Sequence, residues 1–208
     1  YECSINGQVI GDDVLSPGWT DFNSRIRYMV YDVADVLQSG DNVIGAVLGD
    51  GWAVGHLHNH DRQYYVDRPR LLAQLEITLT DGSTTRVVTD GSWTYHYGPQ
   101  LDNDLIMGES YDARLETPDW DTPGFDDNDW RSAIIFEDSG AALVASNGPA
   151  IKRFEELKPV AEPIFIPRPR SYIFDLGQNM VGRVRLKASA PAGTTVILRF
   201  AEMLNPDG

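Results

Sequence analysis

The chain has 208 residues, 42% of them hydrophobic and 10% aromatic, enough for a packed core in one large domain or two small ones. With 17 basic residues against 31 acidic ones and a net charge of −14, it has little of the cationic surface that nucleic acid or an anionic membrane would require. The single cysteine, Cys3, cannot form an internal disulfide, and no run of about 18 apolar residues offers a membrane span.

The start at Tyr1 leads directly into β-type alternation, which suggests a segment of a longer polypeptide. Asn6-Gly7 supplies the positive φ of a tight hairpin between a strand ending at Ile5 and a second one through Val9-Ile10. Asp32 is placed to cap a single helical turn over 33–37, ended by Gly40, after which residues 42–48 read as a well-buried strand. Gly49-Asp50-Gly51-Trp52 ends that strand and is not a phosphate loop, since no Lys-Ser/Thr follows. In 73–79, Ala73, Leu75, Ile77 and Leu79 alternate with Gln74, Glu76 and Thr78, a half-buried strand that Asp81-Gly82 turns back into 85–89. Trp19, Trp52 and Trp93 flank glycines or strand ends and are expected to be largely buried. Residues 117–130 pack turn formers around Trp120, Phe125 and Trp130, which predicts an aromatic-anchored loop.

Pro159, Pro163, Pro167 and Pro169 predict a stiff extended connection, and the composition shift puts a domain boundary between about 146 and 169. Beyond it, 174–181 and 182–188 lead through the Pro191-Ala192-Gly193 turn into 194–200, so Val184, Leu186 and Ala188 face Val196, Leu198 and Phe200 in a predicted hairpin. Asn205-Pro206-Asp207-Gly208 reads as a further turn, with the strand that should pair with 196–200 expected after it. Short strands between Gly, Pro, Asn and Asp clusters make this an all-β chain, an antiparallel β-sandwich followed by an incomplete second one.

Polar clusters suggest two kinds of cation chemistry. In His56-Leu57-His58-Asn59-His60-Asp61, alternate residues of an extended chain would present three imidazoles to one zinc ion, against which stands a plain solvated loop. Asn59 and Asp61 in 56–69, with Asp102, Asn103 and Asp104, supply the hard oxygens that calcium prefers, although turn chemistry alone also explains them. Tyr64 and Tyr65 are adjacent, so one of them can offer an exposed ring to the apolar face of a sugar.

Tyr172-Ile173-Phe174-Asp175-Leu176-Gly177-Gln178-Asn179-Met180-Val181-Gly182, then Pro191-Ala192-Gly193-Thr194 and Ala201-Glu202-Met203-Leu204-Asn205-Pro206-Asp207-Gly208, form a signature. Upstream of it, in order, come Ile5-Asn6-Gly7, Pro17-Gly18-Trp19-Thr20-Asp21, Asn42-Val43-Ile44-Gly45, Gly49-Asp50-Gly51-Trp52 and Gly108-Glu109-Ser110-Tyr111-Asp112-Ala113-Arg114. Together these motifs resemble the bacterial α-L-rhamnosidases. The resemblance implies that residues 1–150 are a galactose-binding-like, jelly-roll sandwich, and that 151–208 are a linker and the start of a second sandwich. It also implies that the full-length enzyme acts on rhamnose-containing glycans or glycosides and releases terminal L-rhamnose with inversion. Its acid and base would stand on an (α/α)6 barrel C-terminal to these sandwiches, leaving this chain inactive by itself. Inversion needs two carboxyl groups roughly 6.5–9.5 Å apart. Glu109 and Asp112 are the tempting pair here, but either is better read as a partner of Arg114.

Some related sandwiches bind rhamnose with the help of calcium, so Tyr64 and Tyr65 become candidate sugar contacts and Asn59, Asp61, Asn103 and Asp104 candidate calcium ligands. The alternatives are a calcium-dependent L-rhamnose-binding module, and a structural spacer without ligand whose unpaired strand edges promote self-association.

Overall fold

The structure, a computed structural model, describes residues 1–137 and 139–204; the turn expected at 205–208 lies outside the described residues. In chain order the strands of the first unit are β1 (Glu2–Ile5), β2 (Gln8–Val9), β3 (Arg25–Tyr28), β4 (Ile44–Val47), β5 (Gln74–Thr78), β6 (Thr84–Val88), β7 (Thr94–Tyr95), β8 (Gln100–Asp104), β9 (Gly108–Tyr111), β10 (Arg131–Ser132) and β11 (Ala142–Ala145). β12 (Ile164–Ile166) and β13 (Ser171–Ile173) follow in the second. Among the described residues, helix is confined to one turn, α1 (Gly51–Val54), and to 3-10 turns at Ala34–Val36 and Ala113–Leu115. The chain is all-β, divided into units Tyr1–Arg153 and Phe154–Gly208.

Asn6 (φ 52) and Gly7 (φ 78) take the two left-handed positions of the β1–β2 hairpin, which pairs Ser4 with Val9 and Ile5 with Gln8. Asparagine does more here than turn the chain. Its Oδ1 accepts from Val43 N at 3.0 Å, and its Nδ2 donates to Val36 O at 3.0 Å and to Asn42 Oδ1 at 2.8 Å. One side chain thereby ties the hairpin to the Ala34–Val36 turn and to the residues entering β4. Asp32 does not take the cap position expected of it: the turn starts a residue later, with Val33 at its N-cap, and Asp32 Oδ1 accepts from Ala34 N at 3.1 Å in an Asx-type turn that leads into it. β4 then pairs antiparallel with β1, placing Gly45 opposite Ser4 and Ile44 opposite Ile5, in the order β2-β1-β4. Ile5 is buried, but β4 is only half so, since Val47 at its end is exposed.

The β5–β6 hairpin forms around Asp81-Gly82. Asp81 Oδ1 accepts from Ser83 N at 2.9 Å and Gly82 takes φ 82. Ala73, Leu75 and Ile77 occupy the half-buried face; Leu79 is exposed, because it lies beyond the ladder, in the turn. One pairing departs from the antiparallel expectation. β3 and β11 run parallel, Arg25 beside Ala142 through Tyr28 beside Ala145. A parallel pair needs a long connection, and here most of the first unit supplies it.

The 117–130 loop is anchored by its rings as predicted: Trp120 stacks on Trp130 with centroids 6.1 Å apart, and Phe125 meets Trp130 edge-on at 5.5 Å. The loop also accepts a backbone bond from the first hairpin, Gly7 N donating to Asp121 O at 2.9 Å. Trp120 lies against β4 so closely that a Cβ at Gly45 would stand 2.5 Å from its Cζ3.

In the second unit, Pro167 and Pro169 do not continue an extended connection. They sit in the turn of the β12–β13 hairpin, which Arg170 closes with φ 65 and in which Phe165 packs on Tyr172 at 5.1 Å. The hairpin predicted for 182–200 is absent among the described residues. Its turn forms, Thr194 N donating to Pro191 O at 3.1 Å with Gly193 at φ 85, but no ladder joins the arms and Val184, Leu186, Val196, Leu198 and Phe200 stay exposed. A lone two-stranded ribbon is marginal in water, and among the described residues this unit offers the arms no third strand or covering layer.

Gly45→Ala is expected to destabilise the first unit by about 1–3 kcal/mol, because the new methyl overlaps an indole already held by Trp130. A thermal melt of the variant should therefore fall by several degrees, whereas Gly148→Ala, where a Cβ meets nothing within 4 Å, should leave it unchanged.

Candidate functional site

β8 delivers Asp104 into the interior, where it is 7% exposed and surrounded by donors. Its Oδ2 accepts from His56 N at 2.7 Å and from His56 Nδ1 at 2.8 Å, while Oδ1 accepts from Ile106 N at 2.8 Å and Met107 N at 2.9 Å. Burial alone would raise this carboxyl, but the combined donors hold it well below the usual carboxylate range. The approach demands a glycine: a Cβ on Gly55 would lie 2.9 Å from Asp104 Oδ2 and 2.5 Å from Gly51 O. Beside this knot, Arg62 bridges two carboxylates, contacting Asp50 through Nη2 and Asp102 through Nη1 at 2.9 Å. Burial, more than the neighbouring Asp102 and Asp104, pushes the Asp50 carboxyl up against the pull of Arg62.

The three-imidazole zinc arrangement is not formed. Leu57 and His60 exchange backbone hydrogen bonds, a tight turn that breaks the extended alternation the prediction needed. His56 turns to Asp104, His60 stacks on Tyr64 with centroids 4.3 Å apart, and His58 is exposed. Among the described residues, no three His, Cys, Asp or Glu side chains are grouped to hold a metal ion. Of the residues singled out for calcium, Asp104 is engaged as above. Asp61 is fully exposed, 3.8 Å from His56 Nε2, so the two acids flank one imidazole. Asn103 faces Glu109, Nδ2 to Oε2 3.4 Å, and packs against Gly49, while Asn59 is exposed and its side chain makes no hydrogen bond among the described residues.

Glu109 and Asp112 have separate structural engagements. Asp112 caps the Ala113–Leu115 turn, accepting from Arg114 N at 3.1 Å, and grips the Arg114 guanidinium at 2.8 Å, which holds its carboxyl down at about 2. Glu109 receives only long contacts, at 3.4 Å, from Gln100 and Asn103. Tyr111 donates to Glu116 at 2.6 Å, a bond that, with burial, pushes its phenol up to about 12.

Tyr64 and Tyr65 belong to a larger aromatic row. His60 stacks on Tyr64, Tyr64 meets Tyr65 edge-on at 4.8 Å, and Tyr65 contacts Phe22 at 5.1 Å. Trp19 Nε1 donates to the Tyr65 hydroxyl at 3.4 Å, and Trp19 stacks on Trp52 at 5.5 Å. Tyr64 is 51% exposed and Tyr65 half-buried. Trp19, expected to be buried, is 50% exposed, and Trp52 and Trp93 are half-buried rather than enclosed. Their flanking glycines and turn residues place them in loops and turns outside the ladders, where a ring is only partly covered. The row was not visible from sequence because Trp19 and Tyr65 come together across 46 positions. Its chemistry is that of a platform, flat apolar faces edged by phenol and indole polar groups.

Residues 1–155 match the α-L-rhamnosidase N-terminal domain, and residues 167–208 match the bacterial α-L-rhamnosidase concanavalin-like domain. The whole chain is 43% identical to 20% of an α-L-rhamnosidase of Streptomyces avermitilis and 37% identical to 22% of one from Formosa agariphila. It is also similar to the crystal structure of the Streptomyces avermitilis α-L-rhamnosidase complexed with L-rhamnose, at a TM-score of 0.94 and 42% identity, over all of this chain and 20% of that one. The chain thus spans about a fifth of the length of the curated relatives it matches.

Because the Asp104 carboxyl sits lower in the folded chain than its unfolded value of about 3.9, the stability it contributes is full above that pH and is lost as pH falls toward the folded value. Asp104→Asn should cost roughly 2–3 kcal/mol at neutral pH, since the amide turns donors toward donors. Thermal melts between pH 6 and 3 should show a steeper loss of stability on acidification in the parent chain than in the variant.

Proposed function

This chain belongs to the α-L-rhamnosidase family, and from that premise we propose that it is the non-catalytic N-terminal part of an enzyme that releases terminal L-rhamnose, with inversion, from rhamnose-containing glycans and glycosides. Residues 1–150 would be its galactose-binding-like sandwich and 151–208 a linker and the start of its second sandwich. The observation that carries this reading is identity along the entire chain set against alignment with only a fifth of each relative. The acids support it as well: Asp112 is bound by Arg114 and Asp104 by four N–H donors, leaving neither as a proton-transfer group.

The half-exposed aromatic row favours a second role, recognition of the sugar. Tyr64 and Tyr65 would offer a ring face to the apolar side of L-rhamnose, with Trp19 extending the platform. Calcium, needing six to eight oxygens, would draw on Asn59, Asp61 and Asn103 together with backbone and sugar oxygens. Asp104 contributes least in this scheme, because both of its oxygens already accept hydrogen bonds.

Incubated with an aryl α-L-rhamnoside, the purified chain is expected to show no turnover. Hydrolysis that Glu109→Gln abolished would instead make Glu109 catalytic.

Isothermal titration with L-rhamnose, with and without Ca²⁺, separates the roles. Calcium-dependent heat that weakens about tenfold in Tyr64→Ala supports recognition through the aromatic row. No heat under either condition, with association on size exclusion, would leave a structural spacer with uncovered strand edges.

A further inference from the structure

A second concave feature shares no residue with the aromatic row. The β7–β10 pair, with Arg131 opposite Tyr95, opens a cleft of about 150 Å³ lined by Tyr95, His96, Tyr97, Asp129 and Arg131. The Tyr95 and Tyr97 rings stand perpendicular at 5.9 Å and make a corner. Between them in sequence, His96 stacks on Trp130 at 5.6 Å, and Trp130 is held in turn by Trp120 and Phe125, so the wall behind the cleft is rigid. Two further bonds fix the loop that carries Asp129: Thr94 Oγ1 donates to Asp127 Oδ2 at 2.8 Å, and Ala133 N to Trp93 O at 2.7 Å.

The charged groups at this cleft are uncommitted. Among the described residues the Asp129 carboxylate has no hydrogen-bond or ion-pair partner, and the Arg131 guanidinium has only the Tyr97 ring at 6.0 Å, the outer limit of a cation–π contact. Guanidinium offers donors only and carboxylate acceptors only, so adjacent hydroxyls of one ligand can satisfy both at once. An anionic ligand would meet Asp129 and a cationic one Arg131, which selects a neutral polyol. Size agrees, because the open cleft, at about 150 Å³, has room for one six-membered ring.

We infer that Tyr95, Tyr97, Asp129 and Arg131 form a separate carbohydrate subsite for a single neutral pyranose. The tyrosine corner covers its C–H face, Asp129 accepts from one hydroxyl, and Arg131 donates to the neighbouring one. This goes beyond the proposed function, whose sugar contacts lie on other residues.

Titration of the isotope-labelled chain with L-rhamnose and, separately, D-glucose, followed at the Tyr97 ring and Arg131 Nε–H resonances, tests it. Saturable shifts at both groups are expected with at least one of the neutral sugars. Tyr97→Ala should weaken the Arg131 response about tenfold. Asp129→Asn should weaken it as well, whereas Tyr64→Ala should leave it intact. Tyr97 is 73% exposed, so its truncation spares the fold, and an unchanged thermal melt confirms this. Unmoved resonances with both sugars, or a response that Tyr64→Ala removes, would show that no such subsite exists. Tighter binding of D-glucuronate than of the neutral sugars would overturn the selection argued from Asp129.

Discussion

A carboxylate nearly sealed from water has to be surrounded by donors, and Asp104 meets that demand with three backbone N–H groups and one imidazole. The donors come from two directions, the start of the 56–70 segment and the turn between β8 and β9, so one ionised group fixes both. The part of the candidate sugar platform carried by the 56–70 segment begins at this knot. His56 is held there, the Leu57–His60 turn follows at once, and Tyr64 and Tyr65 lie beyond it. The same knot explains why Gly55 must lack a side chain and why His56 does not join His58 and His60 in one cluster.

Asn6 plays the corresponding part at the first hairpin. A left-handed backbone and an amide able both to donate and to accept let it close β1–β2, hold the Ala34–Val36 turn and register β4. Gly45 then permits Trp120 to lie on that sheet, and the Trp120–Trp130–His96 stack carries the contact on to the β7–β10 cleft. Aromatic rings thus have two uses in the first unit: one run braces the sheets, the other is left half-open at the loops.

Among its described residues, the second unit lacks comparable devices. Its β12–β13 hairpin has a paired Phe165 and Tyr172, and Val160 N reaches Asp175 O at 2.9 Å, but among the described residues the arms around 191–194 pair with nothing inside the unit. Local turn chemistry is complete there and ladder formation is not, since closing a turn needs only neighbours in sequence whereas a sheet needs a third element to bury its face.

By itself the sequence determined what depends on near neighbours. The all-β class, the Asn6-Gly7 and Asp81-Gly82 hairpins and the ring-anchored 117–130 loop all follow from φ preferences, short-range turn chemistry and period-two alternation, and the ordered motifs pointed to the α-L-rhamnosidases. Only the tertiary structure decided what long-range contact controls. The parallel β3–β11 pair, the exposure of Trp19, the Asp104–His56 bond across 48 positions, the dispersal of the three histidines and the open arms of 182–200 are of this kind. In each case the deciding free energy is burial or hydrogen bonding between segments far apart in the chain, and no local pattern of residues encodes which distant group will be there to receive them.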